Sequence, residues 1–136
     1  MRRAGAVDRV CVGSFYDRLV AATRARLGPR LCTSLGPRGV LGLRLGSLRA
    51  PGAAVAPGRA ACAQVPIRLG WLPVIDRRFV AAAHHRGLVV HAWTVNDRAE
   101  MGRVLDLGVD GIMSDDAPGL REVLAGRGLW HGGQAA

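Results

Sequence analysis

The sequence contains no lysine, few aromatic residues and no long apolar run, and each absence argues against a class of protein. All 19 basic residues are arginine, and only 4% of the residues are aromatic. No stretch of about 18 uninterrupted apolar residues exists, which disfavours a transmembrane segment. The first residues, MRRAGAVDRVCVGS, are interrupted early by Asp8 and Arg9. No signal peptide is visible there, so a cytoplasmic location is the default expectation.

The formal net charge of +9 is the feature that most favours nucleic-acid binding. The arginines are scattered without a run of three, and no interleaved Phe or Tyr platform is present for stacking bases. Together with the abundant Ala, Gly and Val, the arginines are typical of a GC-rich coding bias. We therefore predict no nucleic-acid partner, because the net charge is the only feature that favours nucleic-acid binding.

The three cysteines, Cys11, Cys32 and Cys62, are far apart in the sequence, odd in number and not in CxxC pairs. A zinc site favours closely spaced pairs, and a disulfide framework favours an even count. The sequence predicts buried free thiols in a reducing compartment.

The first half of the chain carries weak signals. Residues 9–14 and 30–35 read as short strands, and 16–27 read as a helix that Gly28-Pro29 ends. Residues 36–63 are predicted to be loop-rich, with a weak helix over 40–48 and a loop over 49–59. A further short strand is predicted over 64–69, and Pro66 confines it to an edge or to a strand end.

The signals sharpen from Asp76 onwards. Three helices are predicted to begin at Asp76, at Asp97 and at Asp115 or Asp116, and Gly87, Gly108 and Gly126 are expected to end them. Asp97 and Glu100 form a possible capping box. The runs over 88–95 and 109–114 are typical of strands buried on both faces.

Strands and helices alternate along the whole chain, which predicts an α/β fold with parallel strands and right-handed crossovers. The spacing of about 20 to 30 residues per unit suits a (β/α)8 TIM-type barrel. Residues 1–136 are expected to form a single partial domain, with a frayed tail over 131–136.

Two segments resemble strand signatures of one enzyme family. His91-Ala-Trp-Thr-Val-Asn-Asp97 is similar to the seventh-strand signature of glycerophosphodiester phosphodiesterases, and Gly108-Val-Asp-Gly-Ile-Met-Ser-Asp115 is similar to the eighth. Val12-Gly-Ser-Phe15 and Gln64-Val-Pro66 resemble the ends of the fourth and sixth strands, and Ala83 to Leu88 resemble the helix end before the seventh. The resemblance is strong over 76–130, weak over 9–35 and faint between them.

The resemblance implies a hydrolase that cleaves a glycerophosphodiester into an alcohol and sn-glycerol 3-phosphate. A divalent cation, Ca2+ or Mg2+, would neutralise the phosphoryl oxygens, and a histidine pair would do the acid–base work. The family's His-Arg-Gly motif, which stands at the end of its first strand, and its acidic metal ligands have no counterpart in this sequence, since His85-Arg86-Gly87 belongs to the helix end that precedes the strand over 88–95. Since a complete barrel needs about 250 residues, the resemblance implies the last four or five strands of eight and a fragment without activity of its own.

Trp93 is the candidate substrate-binding residue, because the matching aromatic lines the family's pocket; the alternative is a residue that fills the barrel interior. His91 is interpreted as an interior polar group, and His84 and His85 as helix-end cations. Asp115 could bind a polar ligand or cap the last helix, while Asp106 and Asp110 are interpreted as surface or structural residues. No catalytic or metal-binding residue is predicted.

Two functional hypotheses therefore stand beside the charge-based one. The first is a phosphodiesterase by descent, acting on a glycerophosphodiester when its barrel is complete. The second is a non-catalytic half barrel that pairs with itself or with a missing N-terminal half, because an open parallel sheet leaves an unpaired edge.

Overall fold

The computed structural model describes residues 1–48 and 60–131, with the backbone alone at Arg2. These residues form an alternating α/β chain that begins with two short 3-10 turns. The helices are α1 (Asp17–Leu27), α2 (Pro37–Ser47), α3 (Arg77–His84), α4 (Arg98–Asp106) and α5 (Ala117–Gly126). The strands are β1 (Cys11–Val12), β2 (Cys32–Thr33), β3 (Cys62–Pro66), β4 (Arg68–Leu69), β5 (Leu72–Pro73), β6 (Val89–Trp93) and β7 (Gly111–Ile112).

Five of these strands run parallel, as the alternation predicts. β1 pairs with β2, and β3, β6 and β7 form a second sheet in that order. A parallel bridge between Ser34 and Cys62 joins the end of β2 to the start of β3. Parallel neighbours need a crossover connection, and α1, α2, α3 and α4 provide it. The chain is therefore an α/β protein with parallel strands, whose carboxyl ends share one edge.

The core lies between the parallel strands and the helices. On β6, Val90 and Ala92 are fully buried, and they belong to the same apolar cluster as Phe79, Met101 and Val104 from α3 and α4. The alternate residues of β6 point to the other face, where Val89 keeps 41% of its surface exposed. One face of the strands is thus packed by helices, and the other is more open. The prediction that the strands over 88–95 and 109–114 are buried on both faces is therefore wrong.

Aspartate caps begin the three C-terminal helices. Asp76, Asp97 and Asp116 each accept a hydrogen bond from the backbone amide three residues later, at 2.8, 2.7 and 3.0 Å. The predicted capping box is half present, because the Glu100 carboxylate pairs with Arg103. Between the two candidates for the last cap, Asp116 holds the position.

Several predicted boundaries are wrong. The region over 36–63 is not mainly loop among its described residues: α2 begins at Pro37, before the predicted start at residue 40, and ends at Ser47. Burial of Leu43 supports this helix despite its glycines, which shows tertiary packing outweighing local propensity. The predicted loop over 49–59 and the tail after His131 lie outside the described residues.

The end of α5 also differs from the prediction. Gly126 stays helical, and Gly128, at φ 69°, takes the left-handed conformation instead. The strands are shorter than predicted: β1, β2 and β7 have two residues each, and β6 covers 89–93 of the predicted 88–95. Pro66 is the last residue of β3, which agrees with its predicted place at a strand end.

The cysteines converge in the fold although they are distant in sequence. Cys11 and Cys32 are register partners, and the Sγ atoms of Cys11 and Cys62 lie 3.5 Å apart. All three are free thiols, but only Cys62 is buried, so the prediction of buried thiols is wrong for Cys11, which is exposed, and for Cys32, which is half-buried. Loss of solvation raises the pKa of each thiol.

No helix among residues 1–48 and 60–131 is long and apolar enough to cross a membrane.

Asp110 ties three elements together, and its removal is expected to destabilise the fold. One carboxylate oxygen, Oδ2, accepts the backbone amide of buried Val90 at 2.7 Å and lies 2.8 Å from Nε2 of His84. Asp110→Ala leaves that amide without its partner, so the free energy of unfolding should fall by about 1–3 kcal/mol. Urea unfolding followed by circular dichroism measures the change.

Two further substitutions separate this role from a loss of charge. Asp110→Asn keeps an oxygen acceptor and should recover most of the stability. Asp106→Ala removes an aspartate that is exposed and pairs with Arg127 at 2.6 Å, so its unfolding midpoint should stay close to that of the parent. Equal losses of unfolding free energy for Asp110→Ala and Asp106→Ala would contradict the proposed role of Asp110 in linking these elements.

Candidate functional site

The candidate site lies at the edge where the parallel strands end. The segments that follow β1, β6 and β7 meet there, and they contain Phe15, Trp93 to Asn96, and Ser114 to Asp115. In parallel α/β folds this edge is where ligand-binding and catalytic residues collect.

Two aromatic rings pack against each other at this edge. The ring centroids of Phe15 and Trp93 are 5.8 Å apart, with their planes at 83°. Such an edge-to-face contact is a favoured arrangement for aromatic pairs. Trp93 is half-buried at the end of β6, and the peptide bond that follows it, to Thr94, is cis. The pair presents an apolar wall with one ring largely exposed.

A network of polar side chains lies at the same edge, in the segments that follow β6 and β7. The Asn96 amide donates to Asp115 Oδ2 at 3.1 Å, and Asn96 Oδ1 accepts from the Ser114 hydroxyl at 3.1 Å and from the Asp115 backbone amide at 2.9 Å. Because Asp116 caps α5, the Asp115 side chain is left at the edge, exposed and held by Asn96. Asn96 therefore fixes the loop after β7 to the loop after β6.

The more open face of the strands carries two further polar side chains. Gln64 and His91 are register partners on β3 and β6, and both are half-buried. A β-carbon on Gly13 would lie 2.9 Å from Gln64 Oε1, and a β-carbon on Gly111 would lie 2.9 Å from His91 Cδ2. Because Gly13 and Gly111 have no β-carbon, the side chains of Gln64 and His91 have space on this face. His91 is half-buried on this open face, and its interior position stays a prediction.

The other predicted histidines and aspartates lie away from this edge. His84 ends α3 and contacts Asp110, and His85 follows it, near the amino end of β6. Asp106 pairs with Arg127, whose hydrogen bond lowers the pKa of that carboxyl group. These contacts agree with the structural and surface roles predicted for them.

The described residues do not provide the ligands of a metal centre. Across 1–48 and 60–131, no group of three or more His, Cys, Asp or Glu side chains could hold a metal ion. At the strand edge, Asp115 offers a carboxylate, but its Oδ2 already accepts from Asn96. Ca2+ and Mg2+ require about six oxygen ligands. The residues present therefore do not fit a divalent cation by themselves.

A surface groove lies elsewhere, between α2 and α3. Ser47, Arg78, Ala82 and His85 are among the residues that line it. It faces the helical layer and includes none of the residues at the carboxyl ends of the strands. We place the candidate site at the strand edge, because the convergent polar and aromatic side chains are found there.

Two residues of this edge were not singled out by sequence reasoning. Phe15 contacts Trp93, but in the sequence it stands only within the strand-end resemblance. Asn96 bridges two loops, but in the sequence it stands only within its motif. A polar residue directly after a buried parallel strand is the signal that could have identified Asn96, whereas no local pattern pairs Phe15 with a residue 78 positions away.

Comparisons with known proteins agree on a single family. The sequence model of the Glycerophosphoryl diester phosphodiesterase family matches residues 43–118. A Mycobacterium tuberculosis protein named Probable glycerophosphodiester phosphodiesterase 2 is 38% identical over 136 residues, which is 97% of this chain and 51% of that protein. Glycerophosphodiester phosphodiesterase GDPD4 of Arabidopsis thaliana is 43% identical over 44 residues, 32% of this chain and 13% of that protein.

A crystal structure of the Silicibacter pomeroyi DSS-3 protein named Putative glycerophosphoryl diester phosphodiesterase superposes with a TM-score of 0.70 at 27% sequence identity. The superposition covers 94% of this chain and 42% of that one. The chain thus spans about half the length of its Mycobacterium tuberculosis relative and less than half of the crystallised protein. Because the family match covers more than half of its residues, the chain belongs to the glycerophosphoryl diester phosphodiesterase family.

Proposed function

We propose that the chain forms one side of the substrate pocket of a phosphoric diester hydrolase, which cleaves glycerophosphodiesters to an alcohol and sn-glycerol 3-phosphate. The observation that carries the proposal is the meeting of the Phe15–Trp93 pair and the Asn96–Asp115 network at one strand edge. An apolar wall beside fixed polar groups suits a ligand that has an apolar part and several oxygens.

The architecture proposed with this function is the C-terminal part of a (β/α)8 barrel, with residues 1–136 as a partial domain. Five parallel strands in chain order, each joined to the next by a helix, support this placement. The coverage of 94% of this chain against 42% of the crystallised relative supports it as well. On this proposal, the face that carries Gln64 and His91 is the barrel interior.

Each residue of the edge has a proposed role in binding. Trp93 contacts the carbon skeleton of the substrate, and Phe15 holds the indole ring by its edge-to-face contact. Asn96 keeps the Asp115 carboxylate turned to the edge, where it can accept hydrogen bonds from glycerol hydroxyl groups. None of these side chains attacks phosphorus in the proposal, so their contribution is orientation of the substrate.

The metal belongs to the same proposal. Ca2+ or Mg2+ would neutralise phosphoryl charge in the complete enzyme. Since the described residues do not fit such an ion, its ligands would come from elsewhere in a complete barrel. We therefore propose that the chain alone does not turn over substrate. A cytoplasmic location and the absence of a nucleic-acid partner remain proposals too.

The isolated chain and a chimera provide the test. The chimera joins this chain to the part of the Mycobacterium tuberculosis relative that its match leaves uncovered. Phosphorus NMR of glycerophosphocholine with Ca2+ or Mg2+ should show release of glycerol 3-phosphate by the chimera and none by the isolated chain. EDTA should stop the release. Hydrolysis by the isolated chain, or an inactive chimera with a cooperative thermal transition, would count against the proposal.

A second candidate function is a non-catalytic half barrel that self-associates. The partial exposure of Val89 on the open face of β6 favours it, since an apolar strand residue there invites a partner. Light scattering on the isolated chain distinguishes the two states: a dimer whose population falls in Val89→Asp supports association, and a compact monomer contradicts it.

A further inference from the structure

A short antiparallel hairpin extends from the edge that holds the candidate site. β4 and β5 pair through Leu69 and Leu72, leaving Gly70 and Trp71 as the two loop residues. Trp71 is 80% exposed, the highest value among large apolar side chains in the described part of the chain, and both leucines are exposed beside it. The hairpin follows the carboxyl end of β3 directly, so it shares that edge with Trp93. The single strand predicted over 64–69 is thus divided between the end of β3 and the first strand of the hairpin.

The hairpin is held in place although its tip is exposed. The Arg68 guanidinium donates to the Trp71 carbonyl oxygen at 2.9 Å, and Gly70 supplies the positive φ of 59° that suits the first position of a tight two-residue loop. At the base, the Val74 amide donates to the Ile67 carbonyl at 2.9 Å, and Ile67 and Ile75 are buried. The apolar side chains at the tip are thus presented to solvent by a fixed support.

The chain segment that carries the hairpin is basic in sequence. Residues 60–96 contain a single acidic residue, Asp76, against four arginines, namely Arg68, Arg77, Arg78 and Arg86. The Asp76 carboxylate is already paired with Arg44 at 2.8 Å. Arg68 stands on the hairpin itself, and α3 begins with Arg77 and Arg78 directly after it. An anionic surface is therefore the complementary partner for this segment.

We propose that the tip formed by Leu69, Trp71 and Leu72 docks on the headgroup region of an anionic membrane. Tryptophan prefers the boundary between hydrocarbon and water, and cations beside an apolar tip add attraction to anionic lipids. A convex, three-residue tip suits insertion among lipid headgroups, which need no matching cavity. Docking would turn the strand edge that holds Trp93 towards the lipid surface. The proposal goes beyond the proposed catalytic function and does not depend on it.

Flotation of the 136-residue chain with lipid vesicles tests the proposal. The chain should float with vesicles of phosphatidylcholine and phosphatidylglycerol, and more weakly with phosphatidylcholine alone. Trp71→Ala should lower the partition coefficient by about tenfold or more, because the tip then loses its largest interfacial side chain. Trp130→Ala is the matched control, since Trp130 is also exposed but lies outside the hairpin, after α5, with its ring against Arg121. Its partitioning should equal that of the parent.

A fluorescence measurement covers the event that a variant misfolds. With Trp93→Phe and Trp130→Phe combined, Trp71 is the sole tryptophan. Under excitation that tyrosine does not absorb, anionic vesicles should shift its emission to the blue. Lipids brominated near the headgroup end of their acyl chains should quench it. No binding by the parent, equal binding by Trp71→Ala, or Trp71 emission unchanged on bound vesicles would each overturn the proposal. The last two outcomes would mean attraction by charge alone or docking through another surface.

Discussion

Replacing Phe79 with alanine should remove much of the stability of the fold. The side chain is 0% exposed and belongs to the apolar cluster between α3 and the parallel strands. Truncating a buried phenylalanine costs about 3–5 kcal/mol, because contacts are lost and a cavity remains. Domains of this size have about 5–15 kcal/mol in total. We therefore expect a large fall in the urea midpoint of the circular dichroism signal.

Phe15→Ala provides the matched control, because the sequence has two phenylalanines and Phe15 is 74% exposed. Its loss should leave the urea midpoint nearly unchanged, since little apolar surface returns to water. If both variants unfold at the parent's urea midpoint, the apolar cluster between α3 and the parallel strands is not the core of the molecule. If Phe15→Ala is as destabilising as Phe79→Ala, the aromatic pair is structural and its proposed role in the pocket is wrong.

The elements from Asp76 onwards could be predicted because their signals are local. An aspartate cap fixes where each of the three helices starts, and glycines with positive φ at 87 and 108 follow two of their ends. Burial of Val90 and Ala92 agrees with the apolar run over 88–95, whereas the prediction of burial on both faces is wrong, because Val89 keeps 41% of its surface exposed. Alternation of the elements was sufficient to predict parallel strands.

The remaining features depend on contacts between distant residues. β1, β2 and β7 have two residues each, so pairing in the sheet defines them more than any run of residue types does. α2 forms around buried Leu43 in a glycine-rich segment that propensity alone disfavours. The contact of Phe15 with Trp93 and the approach of Cys11 to Cys62 arise from strand order. Trp93 could be selected as a site residue by resemblance, but its partner could not.

Trp93→Ala should weaken substrate use by the chimera more than any other substitution at the strand edge. The indole is proposed to contact the substrate in both ground state and transition state, so KM should rise while kcat changes little. A fall in kcat/KM of about 10- to 100-fold corresponds to about 1.4–2.7 kcal/mol of lost binding. Trp93→Phe keeps an aromatic ring against Phe15 and should recover part of it. Steady-state kinetics with glycerophosphocholine measures both.

The alternative role of Trp93, filling the interior of a barrel, predicts a different pair of results. In that case Trp93→Ala would lower the thermal midpoint of the chimera strongly, and kcat and KM of the remaining folded enzyme would match the parent. Its half-buried position and its exposed neighbour Phe15 favour the pocket role. Trp130→Ala, in the segment after α5, controls for a general loss of tryptophan and should leave kcat/KM within about twofold, a difference of less than 0.5 kcal/mol. A stable Trp93→Ala chimera with unchanged kcat/KM would remove Trp93 from the pocket and leave the Asn96–Asp115 network to carry the proposed site.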